Sequence, residues 1–255
     1  MGAEVRFSDY ADAFANVAMT RDDGVLVMRL HTGGSSLQWS DEVHADLGRA
    51  FHAVSSDLEN AVVVLTGTGD TFCVASAPGA FRFDPSVPPV GLDRIYQEGK
   101  DLILSLLGVG VPMVAAVNGP AWIHAELGLL CDVVIASETT TFRDPHFGSG
   151  IVPGDGAHLV WPILLGETRG RYFLLTGQEL DATQALHAGL VNEVIPTTDV
   201  LPRALALARE IAAQPPLVRR YTRELLTMRM KHAFQQYLPF GLALEGFASG
   251  YGVWR

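Results

Sequence analysis

Residues 142–158 read FRDPHFGSGIVPGDGAH, a stretch that gathers two histidines and two aspartates around small-residue turns. Gly148, Gly150, Pro153, Gly154 and Gly156 exclude a regular helix or strand there. The stretch reads as an ordered loop presenting an imidazole, His146 after Pro145, and a carboxylate, Asp155 between two glycines. An imidazole exchanges its proton near neutrality, so His146 suits a general base toward water. Asp155 suits the group that holds the ring's other N–H and favours the imidazolium, the orienting role of a triad. The same residues also suit a plain turn-rich connector, because Asp between glycines is ordinary turn chemistry. His146, Asp155 and His158 suggest a metal set, but neither an HExxH helix nor paired cysteines accompany them, so no metal is expected. His124-Ala125-Glu126 before Cys131 echoes a zinc deaminase without the required P-C-x-x-C. Gly148-Ser149-Gly150 is not a nucleophile elbow, since Phe147 stands where glycine is needed. Gly67-Thr68-Gly69 lacks the dinucleotide fingerprint and reads as a turn.

The elements that must position this loop alternate in type. Residues 24–31, 61–66 and 111–117 are continuous apolar runs of the kind buried on both faces of a sheet, and 131–136 and 190–195 are weaker examples. Helical spacing marks residues 41–56 after an N-capping Ser40, and residues 92–107. Beyond Asp155 the pattern turns helical, with segments at 156–165, 168–175, 182–188, 199–213, 216–230 and 232–247. Strands separated by helices predict an α/β fold with crossover connections. A boundary falls near residues 196–199, dividing a core of 1–196 with the active site from a helical region of 197–255. Residues 85–91 (PSVPPVG), with the residues just before them, lie between strand and helix and suit a lid over a pocket.

Composition narrows the function. The 255 residues are 48% hydrophobic and 18% charged, enough for a sizeable core and against disorder. A net charge of −10 argues against nucleic acid or an anionic membrane as partner. Cys73 and Cys131 are too few for a disulfide framework, which suits a reducing cytosol. No secretory signal is read in residues 1–16, and the apolar runs are strand-length rather than membrane-spanning.

Ordered segments carry a family resemblance. Val62-Val63 with Leu65-Thr66-Gly67, Phe72-Cys73, residues 115–120 (AAVNGP), 131–136 (CDVVIA), Ile151-Val152-Pro153-Gly154, Leu175-Thr176-Gly177 and 188–194 (AGLVNEV) resemble the crotonase (enoyl-CoA hydratase/isomerase) superfamily. That resemblance implies a spiral of repeated ββα units in two near-perpendicular sheets, and C-terminal helices that drive trimer formation. It also implies an oxyanion site built from peptide N–H groups, the first at Ser76. Two departures matter. Leu127 and His146 stand where the hydratases carry their two glutamates, and His124 replaces the glycine that completes the oxyanion hole. Addition of water to a conjugated double bond is therefore not expected.

The set His124, His146, Asp155, Trp39 and Glu245, with residues 151–158 and 170–182, is instead similar to the β-diketone hydrolases, 6-oxocamphor hydrolase among them. The resemblance implies retro-Claisen cleavage of a C–C bond in a bicyclic 1,3-diketone to a keto acid, with water activated by His146 and Asp155. His124 and Trp39 are donors suited to a carbonyl oxygen, and Glu245 to proton transfer or to holding a water. Phe81 and Phe83, on the lid segment, are candidates for the pocket wall. No cofactor is expected. Residues 32–40 (TGGSSLQWS) carry a bulky Trp, and no Lys or Arg lies between Arg29 and Arg49 to meet the phosphates of coenzyme A. The alternative is an acyl-CoA-processing crotonase (thioesterase, decarboxylase or hydratase/isomerase) with a rewired site. A homotrimer or dimer of trimers in the cytoplasm is the expected form. His31, His44, His52, His187 and His232 read as structural.

Overall fold

The structure is a computed structural model and describes residues 5–80 and 89–250. In chain order come β1 (Val17–Asp22), β2 (Val25–Leu30), β3 (Gln38–Trp39), α1 (Asp41–Ser56), β4 (Val62–Thr66), β5 (Ala75–Ser76) and α2 (Pro89–Gly108). Next are β6 (Met113–Val117), α3 (Glu126–Leu129), β7 (Val133–Ser137), β8 (Thr141–Phe142), α4 (Ala157–Leu165) and α5 (Glu167–Thr176). The chain closes with β9 (Leu180–Asp181), α6 (Ala182–His187), β10 (Glu193–Ile195), α7 (Thr197–Ala212) and α8 (Pro216–Gly250).

The apolar runs are continuous because both faces of their sheet are covered. Six strands lie in the order β1-β2-β4-β6-β7-β10, antiparallel at β1–β2 and parallel elsewhere. Alternate side chains then serve two cores. Val63, Leu65, Met113, Ala115 and Val134 face the main core with α1, α2 and α4. Val62, Val64, Val114, Ala116 and Ile135 meet Val200, Ala204 and Ala208 of α7 on the other face. The expected second sheet is present as short ladders. β3 pairs with β5, β8 pairs with β9, and single bridges join Cys73 to Ala121 and Ala121 to Phe142. The loops between these ladders carry the site.

Local chemistry sets the ends of the helices. The Ser40 hydroxyl accepts the Val43 N–H at 3.2 Å to cap α1. Asp181 and Gln184 form a capping box on α6. The helix α8 is held across the fold by Arg223, which is 2% exposed. Its Nε donates to Asp132 Oδ2 at 2.7 Å, and its Nη1 donates to the carbonyls of Leu107 and Val109. Farther along, Gly241 of α8 and Gly154 of the 142–158 loop touch backbone to backbone, and a Cβ on either would collide with the other segment. Glycine is required there because nothing larger lets α8 approach the loop that holds Asp155.

Three expectations change. β1 was not anticipated, because its alternation of buried Val17 and Met19 with exposed Ala18 and Thr20 is the pattern of an edge strand, not a continuous run. The two helices expected at 216–230 and 232–247 are one helix, α8. No breaker stands at Lys231, and Pro239 lies inside the helix without ending it. The helix expected at 92–107 begins at Pro89, so only its start is longer than the spacing suggested. Phe81, Phe83 and residues 85–88 of the expected lid lie outside the described residues.

Arg223→Leu leaves the Asp132 carboxylate with the Met113 N–H but no cation. Breaking a buried pair costs about 3–5 kcal/mol. Because the Asp132 side chain keeps 18% exposure, the expected loss is about 3 kcal/mol, the lower end of that range. Denaturant unfolding reads it as a lowered midpoint, and an unchanged midpoint would show that the clamp does not hold α8.

Candidate active site

Four parts of the chain converge on one cavity of about 690 Å³. His146 follows β8, in a turn that passes through Phe147–Ser149 and reverses at Gly150, with φ 75°. Asp155 lies in the turn before α4, where Gly156 has φ 122°, and its Oδ1 accepts the Ala157 N–H at 3.3 Å. His124 precedes α3, and Glu245 comes from α8. Trp39 of β3 and Ser76 of β5 are register partners. All six line the cavity. Its other walls include Ile95, Tyr96, Ile123, Pro145, Ile151 and Leu242, which suits a neutral, largely apolar guest.

The polar groups form a chain. His146 Nε2 lies 3.3 Å from Asp155 Oδ2, and His146 Nδ1 lies 3.0 Å from Asp144 Oδ1. The same Asp144 oxygen accepts the backbone N–H of His146 at 3.1 Å. His124 Nδ1 lies 2.5 Å from Glu126 Oε1 and 3.7 Å from Asp155 Oδ2. The indole of Trp39 stacks on the His124 ring, with centroids 3.7 Å apart and planes at 29°. His44 meets Trp39 edge-on at 6.0 Å.

This geometry corrects the expected role of His146. Asp155 faces Nε2, and the carboxylate on Nδ1 is Asp144. Burial disfavours a charged His146 ring, but Asp155 and Asp144 outweigh it and hold the ring doubly protonated well above its usual range. It is therefore not a free imidazole poised near neutrality. Burial acts against Asp155 as an anion, and His146 and then His124 overcome it, so Asp155 stays ionised. His124 is likewise raised, with burial opposing and Glu126 and Asp155 prevailing. Glu245 behaves oppositely. Burial, with the Asp155 charge beside it, pushes its carboxyl up to about 8, and its Oε2 is buried with no hydrogen-bond partner. His44 is pushed down to about 3 by burial and the His124 charge, so it is neutral.

Three residues of the site escaped the sequence reading. Asp144 was legible as the Asx residue two before His146. Glu126 sits two after His124, and no spacing rule marked it. His44 read as structural, yet its ring lines the cavity. Its place on the buried face of α1 with Leu47 and Phe51 was the available signal. His158 is turned away, toward the Pro153 carbonyl at 3.0 Å and against Gly241. Atoms of His124, Glu126 and Asp155 lie within 4.8 Å of one another. The shortest contact in this set is His124 Nδ1 to Glu126 Oε1 at 2.5 Å, and Asp155 Oδ2 lies closer to His146 than to His124. Near residues 32–40, Arg29 donates to the Gly67 carbonyl at 3.3 Å and Trp39 is 1% exposed.

The chain as a whole is similar to proteins of known structure and sequence. The chain is similar to a β-diketone hydrolase from the cyanobacterium Anabaena sp. PCC 7120, solved bound to (S)-3-oxocyclohexyl acetic acid. The two are 42% identical, with a TM-score of 0.92 over 95% of this chain and 97% of that one. An enoyl-CoA hydratase/isomerase from Mycobacterium paratuberculosis is 26% identical, with a TM-score of 0.87 over 93% and 95% of the two chains. A 2,3-dehydroadipyl-CoA hydratase from Escherichia coli (strain K12) is 29% identical across 91% of this chain and 88% of its own. The enoyl-CoA hydratase/isomerase family profile matches residues 20–245. With that match and an α/β fold of the same type, the chain belongs to the enoyl-CoA hydratase/isomerase family, the crotonase superfamily.

Proposed function

We propose that the protein hydrolyses a C–C bond of a cyclic 1,3-diketone, without coenzyme A. The observation that carries this reading is the His124–Asp155–His146 chain facing an apolar cavity beside Glu245, whose carboxyl burial pushes up to about 8. A 1,3-diketone needs charge stabilisation at two oxygens and a group that takes a proton from water and returns it to carbon. Water adds to one carbonyl, whose oxygen becomes anionic and rests on His124 and the Trp39 N–H. That Trp39 nitrogen is buried with no hydrogen-bond partner. The bond from this carbon to the central carbon then breaks, and its electron pair becomes the enolate of the second carbonyl. The imidazolium of His146 stabilises that enolate oxygen. The His146–Asp155 pair orients the water, and Glu245 accepts its proton, because its carboxyl titrates near the working pH. Glu245 then returns the proton to the central carbon, and the product is a keto acid.

The rival is an acyl-CoA enzyme, favoured by the names of relatives such as the Escherichia coli hydratase. One experiment separates the two. The wild type and His146→Ala are given a bicyclic 1,3-diketone with chelator and no coenzyme A, and products are analysed by mass. Keto acid from the wild type, lost by about 10²-fold or more in the variant, is expected. Release of free thiol from a thioester, with every 1,3-diketone left intact, would put the rival in its place.

The pH dependence follows from Glu245. Its carboxylate is the active form, so kcat/KM should rise with pH through about 8. Glu245→Gln should lower kcat by about 10²-fold and abolish that rising limb. A limb unchanged in Glu245→Gln would assign the proton acceptor elsewhere.

We also propose that the chain assembles as a homotrimer, or a dimer of trimers. Leu217, Tyr221, Leu225, Met228 and Phe240 leave a long apolar stripe exposed along α8. Light scattering should read three or six chains, and a single chain would remove this proposal.

A further inference from the structure

Glu126 is a carboxylate in an expensive place. It is 3% exposed, between buried Ala125 and Leu127 at the start of α3. A buried carboxylate without a partner is strongly disfavoured. Its side-chain partner is His124 Nδ1, at 2.5 Å. His124 itself is held in a costly conformation, with φ 49°, a region that non-glycine residues adopt only under constraint. Strain and a buried carboxylate two residues apart point to one purpose.

The surroundings of His124 define it. Its Nδ1 lies 3.7 Å from Asp155 Oδ2, but that oxygen is closer to His146, at 3.3 Å. The His146 ring repels a charge on His124, as does burial. His44, from α1, faces it as a neutral ring 6.2 Å away. Glu245, from α8, is protonated and adds no counter-charge at neutral pH. Trp39 covers one face of the ring, a placement that favours a cation over the indole. Glu126 is the carboxylate left to secure a proton on Nδ1. With Nδ1 taken, Nε2 is the ring nitrogen of His124 left for the cavity that this residue lines.

We propose that Glu126 is a positioning residue: by holding the Nδ1 proton of His124 it fixes that ring as a doubly protonated donor, with Nε2–H aimed at the substrate oxygen. The identity of that oxygen rests on the diketone reading; the protonation of His124 does not. A carboxylate two residues from each imidazole, Glu126 for His124 and Asp144 for His146, thus engages the Nδ1 of its ring.

The test reads the ring itself. Nuclear magnetic resonance of the whole protein labelled with ¹⁵N-histidine, without substrate, follows His124, assigned by its absence in His124→Asn. The wild-type signal is expected to remain imidazolium at about pH 8, where an ordinary histidine is neutral. In Glu126→Gln it should become neutral, and Glu126→Asp should restore the imidazolium in part. With a diketone substrate, Glu126→Gln should lower kcat by about 10²-fold, the size of losing one oxyanion donor, with little change in KM. A neutral His124 in the wild type overturns the proposal, even if Glu126→Gln fails to fold. So does a His124 that stays imidazolium in a folded Glu126→Gln. If the ring responds as expected but no diketone is turned over, the diketone reading fails and the assignment of Glu126 stands.

Discussion

Asp155 is an ionised carboxylate, 8% exposed, held between the imidazolium of His146 and the ring of His124, whose charged form it favours. Neither charge type tolerates this depth alone, so each depends on the other being placed correctly. That mutual dependence constrains everything around it. The turn at Gly154–Gly156 must bring Asp155 up beneath His146. The β8 turn must present His146 with Asp144 behind it. The strained backbone at His124 must bring a second ring to the same side. The close approach of Gly154 and Gly241 must let α8 deliver Glu245 next to the cluster. A loss at any of these points leaves a buried charge unpaired, which is why so many special backbone positions meet here.

Much of the scaffold was legible because burial on both sheet faces leaves an unambiguous mark. The runs at 61–66 and 111–117 became β4 and β6 almost to the residue, and Ser40 located the start of α1. β1 was missed because an edge strand alternates, and the continuity of α8 was missed although Arg223, Thr227, Phe234, Leu238, Leu242 and Glu245 are buried at helical spacing along its whole length. The second layer was legible only through the family likeness. Its strands are two residues long, too short for any periodicity.

In the site, the chemistry-bearing residues were visible as types, but their pairings were not. Asp155 was readable as a partner of His146, yet which nitrogen it meets depends on the path of the turn between them. That path determines whether His146 is a free base or a fixed cation. Asp144 and Glu126 sit two residues from their imidazoles, Asp144 in a loop and Glu126 at the first residue of α3, and only the Asx turn chemistry of Asp144 offered a local signal. His44 has the spacing of a core residue and is one, except that its core borders the cavity.

The scaffold is that of the family, and the resemblance expects Leu127 and His146 where the hydratases carry their two glutamates. Leu127 is fully buried in the main core and offers no proton. His146 is bound at both nitrogens. The cluster suits stabilising negative charge on two oxygens more than adding water across a polarised alkene, with Glu245 as the mobile proton site. Isotope tracing of the cleavage tests this most directly. In H₂¹⁸O, a short incubation with a cyclic 1,3-diketone should place one ¹⁸O in the new carboxylate, and in D₂O one deuterium on the former central carbon. A keto acid without solvent oxygen in its carboxylate, or a diketone recovered intact while a thioester is consumed, would contradict the account.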